Sequence, residues 1–203
     1  TPKRADKFLI VKFCRSKRQG EIIDHAIELI AVGGIQNLTI KNLSARLGVT
    51  EPAIYRHFAN KFEIVQAMIA SFDEAADNEI TAADREKDGL AGVMAFVESR
   101  FRLVAAKPSL AQVMFAEEIF MNDAELSAQM LGMMHKHMGR LRAMLLEARE
   151  AGEVRADISP DIMLRLIMGP VRLLIKQWGM SGYGFDLASK GRELIDALRK
   201  TLR

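Results

Sequence analysis

The sequence predicts an all-α protein, with three short helices before residue 60 and longer helical segments after it. Three observations predict this. Apolar residues recur at helical spacing through most of the chain, capping residues and glycine or proline stops fall at the ends of the periodic runs, and no segment alternates as a strand would. The composition, 49% hydrophobic, 27% charged and only 6% aromatic, suits a helical protein better than a disordered chain or an aromatic-rich β-sandwich. At 203 residues the chain is long enough for one or two units with a buried core.

The first helix is expected from Ser16 to Val32, where Ile22, Ile23, Ala26, Ile27, Leu29 and Ile30 keep the helical period and Gly33-Gly34 offers a left-handed stop. Thr39 is placed to cap a second helix through Leu47, ended by Gly48. Thr50 is placed to cap a third, with Pro52 in its first turn, where a missing N–H costs nothing. Asn60 with Glu63 reads as a capping-box start for a fourth helix carrying Phe62, Ile64, Val65, Met68, Ile69 and Phe72, which the polar stretch Thr81 to Gly89 ends. Further helices are expected at 90–106, broken by Pro108, at 110–120 and from Asp123 to about Ala151, stopped by Gly152. Ser159-Pro160-Asp161 opens an apolar helix to Met180, in which Pro170 predicts a kink, and Asp186 caps a last helix through Leu202.

Charge is distributed unevenly. Residues 1–65 hold 11 Lys and Arg against 6 Asp and Glu, a net of +5, and the remainder nets −2. The field that attracts phosphate is therefore concentrated in the first third. Seven bases lie within residues 1–18, as either a solvated basic tail or a DNA-touching arm. The single cysteine, Cys14, has no disulfide partner and no zinc-site companions, which points to a reducing cytoplasm. No run approaches the roughly 18 apolar residues of a membrane span, and Phe8 to Val11, cut by Lys12, does not read as a signal peptide.

The segment from Leu43 to Phe58 carries the functional information. Leu43, Leu47, Val49, Ile54 and Phe58 can bury one seam while Gly48 permits an abrupt turn, which is helix-turn-helix logic. The opposite face keeps Thr50, Glu51, Ala53, Tyr55, Arg56 and His57, a short polar surface suited to a major groove. Thr39, Leu43, Leu47-Gly48-Val49, Tyr55-Arg56-His57-Phe58 and Asn60-Lys61 together resemble the signature of the TetR/AcrR family of transcriptional regulators, with Ser44 where that family usually has Ala. The motif match covers residues 21–65; beyond it only the helical architecture agrees.

The resemblance implies a division into a basic arm (1–15), a helix-turn-helix DNA-binding domain (16–62) and a helical effector-binding and dimerisation domain (63–203). It implies that Tyr55, Lys61 and Thr39 hold phosphate oxygens, while Lys41, Glu51, Ala53 and His57 approach base edges. Thr50 and Pro52 belong to the same surface, and Arg56 contacts base or phosphate. Glu51 either accepts from a cytosine amino group, excludes unwanted sequences or is simply a solvated charge, and packing is the alternative role for Tyr55 and His57. The partners implied are double-stranded operator DNA, a small, apolar effector among the fourth to eighth helices, and a second copy of the chain. Location at the nucleoid in the cytoplasm follows, with no membrane association.

Eleven of the twelve methionines lie between Met94 and Met180, including Met130, Met134 and Met138 at four-residue spacing. Such a stripe fills either a ligand cavity or an ordinary core. Phe96, Arg100, Met114, Met130, Met134 and Leu166 are the candidate effector lining. In the last two helices Leu166, Val171, Leu174, Trp178, Leu194 and Leu198 supply either an intramolecular core or a four-helix interface between two subunits. His135 and His137 stand two apart on a predicted helix and point in different directions, so no metal site is expected, nor any cofactor. No nucleophile elbow or phosphate-cradling glycine loop suggests an enzyme. The alternative function is a TetR-like nucleoid-occlusion or cell-division factor whose DNA binding answers to a protein partner.

Overall fold

The computed structural model describes residues 16–85, 89–114, 120 and 123–203. The basic arm and residues 115–119 of the expected 110–120 helix lie outside them. Among the described residues nine α-helices and no strand occur: α1 (Lys17–Asn37), α2 (Ile40–Leu47), α3 (Glu51–Tyr55), α4 (Lys61–Ala83), α5 (Gly89–Ala106), α6 (Leu110–Val113), α7 (Ala124–Glu150), α8 (Pro160–Met180) and α9 (Leu187–Leu202).

Local chemistry accounts for most boundaries. Ser16 and Gln19 form a reciprocal capping box at α1, each side chain bonding the other's backbone N–H at 3.0–3.2 Å. The expected break at Gly33-Gly34 occurs, with Gly34 at φ 71°, but the chain regains helical geometry as far as Asn37. Asn37 then bonds back to Leu29 O at 2.8 Å and receives Asn42 Nδ2 on its own carbonyl at 2.9 Å, fixing the α1–α2 corner. Thr39, Asn60, Asp123, Ser159 and Asp186 each accept a backbone N–H at the start of α2, α4, α7, α8 and α9. Gly48 ends α2 at φ 66°, where a Cβ would strain the turn.

One expectation is corrected. The Thr50 side chain accepts no capping hydrogen bond, so α3 begins on backbone conformation and Pro52 alone. That helix ends at Tyr55, because Arg56 and His57 form a turn that sends Phe58 into the core. Pro170 lies inside a helix that continues unbroken through it.

α1, α2 and α3 close around Ile22, Ile23, Ala26, Leu38, Leu43, Ile54 and Phe58, all buried, with Leu47 and Val49 half-buried at the edge. α4 packs on α1 at one end and on α5 and α7 beyond it, and α6 also packs on α1, so the head meets the body through both helices. α5 is the central helix, touching α4, α7, α8 and α9 and burying Leu90, Val93, Met94, Phe96, Val97, Phe101 and Val104. A helix apolar on nearly every side has no other stable place. Of the apolar residues expected to need a partner, Val171, Trp178 and Leu198 turn into this core, Leu174 and Leu194 are half-buried and Leu166 is exposed.

Candidate nucleic-acid interface and effector region

The head is held rigid by bonds that leave one face uncommitted. Arg46 of α2 reaches Glu28 of α1 through Nε and Nη2 at 3.0 and 2.7 Å, and His25 Nδ1 lies 3.1 Å from the same carboxylate. That hydrogen bond from Arg46 holds the Glu28 carboxyl below its ordinary range. Buried Ser44 is satisfied by donating to Lys41 O at 2.9 Å, which makes it a harmless substitute for a smaller residue. On the other face Thr39, Lys41, Thr50, Glu51, Pro52, Tyr55 and Arg56 are exposed, with Ala53 and His57 half-buried beside them. The phenol of Tyr55, half exposed at 51%, and the charged ends of Lys41, Glu51 and Arg56 make no side-chain hydrogen bond or ion pair with the described residues. Polar groups held at the surface of a braced helix pair and left unpaired are what a phosphate backbone and base edges require.

Lys61 departs from this pattern. Its Nζ donates to Ile35 O at 2.6 Å, tying the start of α4 to the end of α1, and burial pulls its pKa below the ordinary lysine value. It is gathered with the other predicted phosphate-binding residues by position, but its ammonium faces inward.

The six candidate effector residues differ in burial. Phe96 and Arg100 are buried on α5, with the guanidinium carbon 4.9 Å from the Phe96 ring centre, and Met114 and Met130 are half-buried against the core. Met134 and Leu166 are 48% and 41% exposed, so neither lines an interior cavity of the single chain. The four-residue spacing identified one side of α7 but could not say how far that side turns inward. A half-open groove of about 410 Å³ between α7 and α8, lined by His135, Met138, Arg142, Asp161, Leu164 and Arg165, contains none of the six.

Two charged assemblies on α4 escaped the sequence reading. Glu79 Oε2 lies 2.9 Å from Arg100 Nε where α4 meets α5; the oxygen is sealed from solvent without a well-aligned hydrogen bond. Burial pushes the Glu79 carboxyl up, and Arg100 opposes that shift; burial likewise pulls Arg100 down. One turn earlier, Asp73 and Asp77 meet Lys136, His137 and Arg140 of α7, and Arg140 also reaches Thr81 and Asp84. The only local signal was the Asp73-Asp77 spacing of one helical turn, since the basic partners lie about 60 residues away.

An all-α chain with a braced helix-turn-helix and a larger helical body has the architecture of a helix-turn-helix DNA-binding protein. The profile described as "Bacterial regulatory proteins, tetR family" matches residues 22–68, and the profile described as "YsiA-like protein, C-terminal region" matches residues 65–200. The chain belongs to the TetR family of transcriptional regulators. It is 24% identical over 182 residues to the fatty acid metabolism regulator protein of Bacillus subtilis, an alignment spanning 88% of this chain and 92% of that one. The fold is shared with the fatty acid degradation regulator FadR from Bacillus halodurans (TM-score 0.81, 20% identity, 93% of this chain and 98% of that one). It is also shared with FadR from Bacillus subtilis in complex with stearoyl-CoA (TM-score 0.75, 21% identity, 93% and 100%). No helix among the described residues is long and apolar enough to cross a membrane.

Proposed function

We propose that this chain is a ligand-responsive repressor that binds two-fold symmetric operator DNA as a homodimer and releases it when a long-chain acyl-CoA enters the body between α4 and α8. The observation that carries the reading is the uncommitted polar face of α2 and α3, joined through α4 to an apolar body. The effector class is supported by the relative named for fatty acid metabolism and by the similar structure that holds stearoyl-CoA. We read residues 16–62 as the DNA-binding unit and 63–203 as the effector and dimerisation unit; the two profile matches, meeting at residues 65–68, support that division.

In this reading Lys41, Glu51, Ala53 and His57 approach base edges, and Thr39, Thr50, Tyr55 and Arg56 hold the backbone, with Lys61 joining them by swinging off Ile35 O. A dimer enters successive major grooves only if its two reading heads stand roughly 34–36 Å apart. Because α4 packs on α1 at one end and on α5 and α7 beyond it, an effector that displaces α4 alters that separation. An effector favouring the displaced state by about 3 kcal/mol weakens operator binding about a hundredfold.

The experiment is to select bound sequences from a random duplex pool, then titrate the selected site with protein in the presence of stearoyl-CoA or of CoA alone. A two-fold symmetric site, released about a hundredfold by stearoyl-CoA and not by CoA, is expected. Absence of sequence preference overturns the DNA assignment. A specific site indifferent to acyl-CoA removes this effector class and favours regulation by a protein partner.

A further inference from the structure

We propose that Asp73 and Asp77 of α4 and His137 of α7 form a binding site for a divalent transition-series cation that clamps α4 to α7. The two carboxylates stand one turn apart and so share a face of α4, and the three ligand atoms lie within 4.8 Å of one another. His137 Nε2 is 2.9 Å from Asp73 Oδ1 and 3.5 Å from Asp77 Oδ1. Two ligands each about 2.0–2.1 Å from a common ion stand about 2.9 Å apart at a right angle and about 3.4 Å apart at a tetrahedral angle, so these two separations fit the edges of a coordination shell.

The independent observation is the state of His137. Its side chain is only 10% exposed, and its Nε2, aimed at the two carboxylates, is sealed from water and makes no aligned hydrogen bond. A buried ring nitrogen that faces two carboxylates without an aligned hydrogen bond is costly in a merely structural cluster and suits a ligand to an ion.

The donor set selects the ion. Magnesium and calcium prefer oxygen throughout, whereas one imidazole with two carboxylates suits zinc, manganese or their neighbours, water completing the shell. Lys136 bridges both carboxylates through Nζ, 2.9 Å from Asp73 Oδ1, and supplies the positive charge the pair demands. Its partly exposed, flexible stem can withdraw to water when a divalent ion arrives. Arg140 lies 3.3 Å from the same Asp77 Oδ1 that faces the ring nitrogen and also reaches Asp84, so an arriving ion shares that oxygen with the guanidinium or turns it toward Asp84.

The test uses the full chain freed of metal with chelator, titrated calorimetrically with zinc chloride and magnesium chloride and followed by thermal unfolding. One zinc per chain is expected, with magnesium much weaker and a zinc-dependent rise in unfolding temperature. His137→Gln should weaken zinc binding about tenfold or more, and Lys136→Met, which removes the competing cation, should tighten it. Should His137→Gln fail to fold, Asp77→Asn takes its place with the same expectation. The proposal is overturned if folded wild type and Lys136→Met both take up no zinc, or if uptake survives His137→Gln or Asp77→Asn unchanged, which assigns the ion to surface histidines. The outcome does not depend on the proposed effector or operator.

Discussion

At Arg100 and Glu79, two charged side chains are largely withdrawn from water where α4 crosses α5, and each is tolerated because the other is 2.9 Å away. Desolvation of such a pair commonly cancels its attraction, so breaking it differs sharply from replacing it. Arg100→Met alone is expected to cost about 3 kcal/mol in urea unfolding at pH 7, while Arg100→Met with Glu79→Leu should recover most of that loss. A double variant as unstable as the single one would show that the site is held by something other than the pair. Glu79 carries a pH signature as well. Its folded pKa is raised above the ordinary 4.5, so as pH climbs past that value the unfolded chain releases the proton first. The folded state then binds more protons, and stability falls with rising pH until the folded value is passed. Glu79→Gln should lose this descending slope. Neither this pair nor the Asp73, Asp77 and His137 cluster was legible in the sequence, because ion pairs between distant helices leave no spacing to read. The surface placement of Thr39, Lys41, Tyr55 and Arg56 was legible, since a turn of fixed geometry between two short helices makes exposure a local property.

Between elements, the distance of approach decides the sign of otherwise identical substitutions. Gly191 of α9 sits against α5 so closely that a Cβ there would lie 2.6 Å from Phe101 Cδ2, a ring itself buried and unable to retreat. Gly132 of α7 has nothing within 4 Å of the same added atom and is exposed. Alanine improves helix propensity by about 1 kcal/mol over glycine at either position. At Gly132 that gain stands alone, so Gly132→Ala should raise the unfolding temperature by a few degrees. At Gly191 overpacking costs about 1–3 kcal/mol and wins, so Gly191→Ala should lower it. Equal shifts in the two variants would mean that α9 can slide on α5. The same contrast explains which element features the sequence revealed. Caps at Ser16, Thr39, Asn60, Asp123, Ser159 and Asp186 depend on neighbours two or three residues away and were visible or nearly so. The end of α3 at Tyr55 depends on what packs alongside, to which local spacing is blind.

For the whole molecule, the outer face of α8 sets the limit on what one chain can do alone. Ile162, Leu166, Leu173 and Met180 are between 41% and 75% exposed and fall at intervals of four, seven and seven, a single stripe on one side of the helix, with Gly169 in line between them. A continuous apolar stripe with a gap for close approach is the pattern of a self-complementary helix pair, and a two-fold interface there buries each stripe against its own copy. If the proposed dimer forms through this face, Leu173→Glu places two like charges together on the dyad and should yield a folded monomer by sedimentation equilibrium. Leu131→Glu, equally exposed but on α7, should remain dimeric. DNA binding distinguishes the consequences. One head holds one half-site, whereas two linked heads gain an effective-concentration advantage of about 10²–10⁴, so Leu173→Glu should lose that factor on a full symmetric site. On an isolated half-site, which only one head can occupy, it should match the wild type. A dimeric Leu173→Glu beside a monomeric Leu131→Glu would move the interface to α7, and a monomer that keeps full affinity for the symmetric site would remove dimerisation from the mechanism.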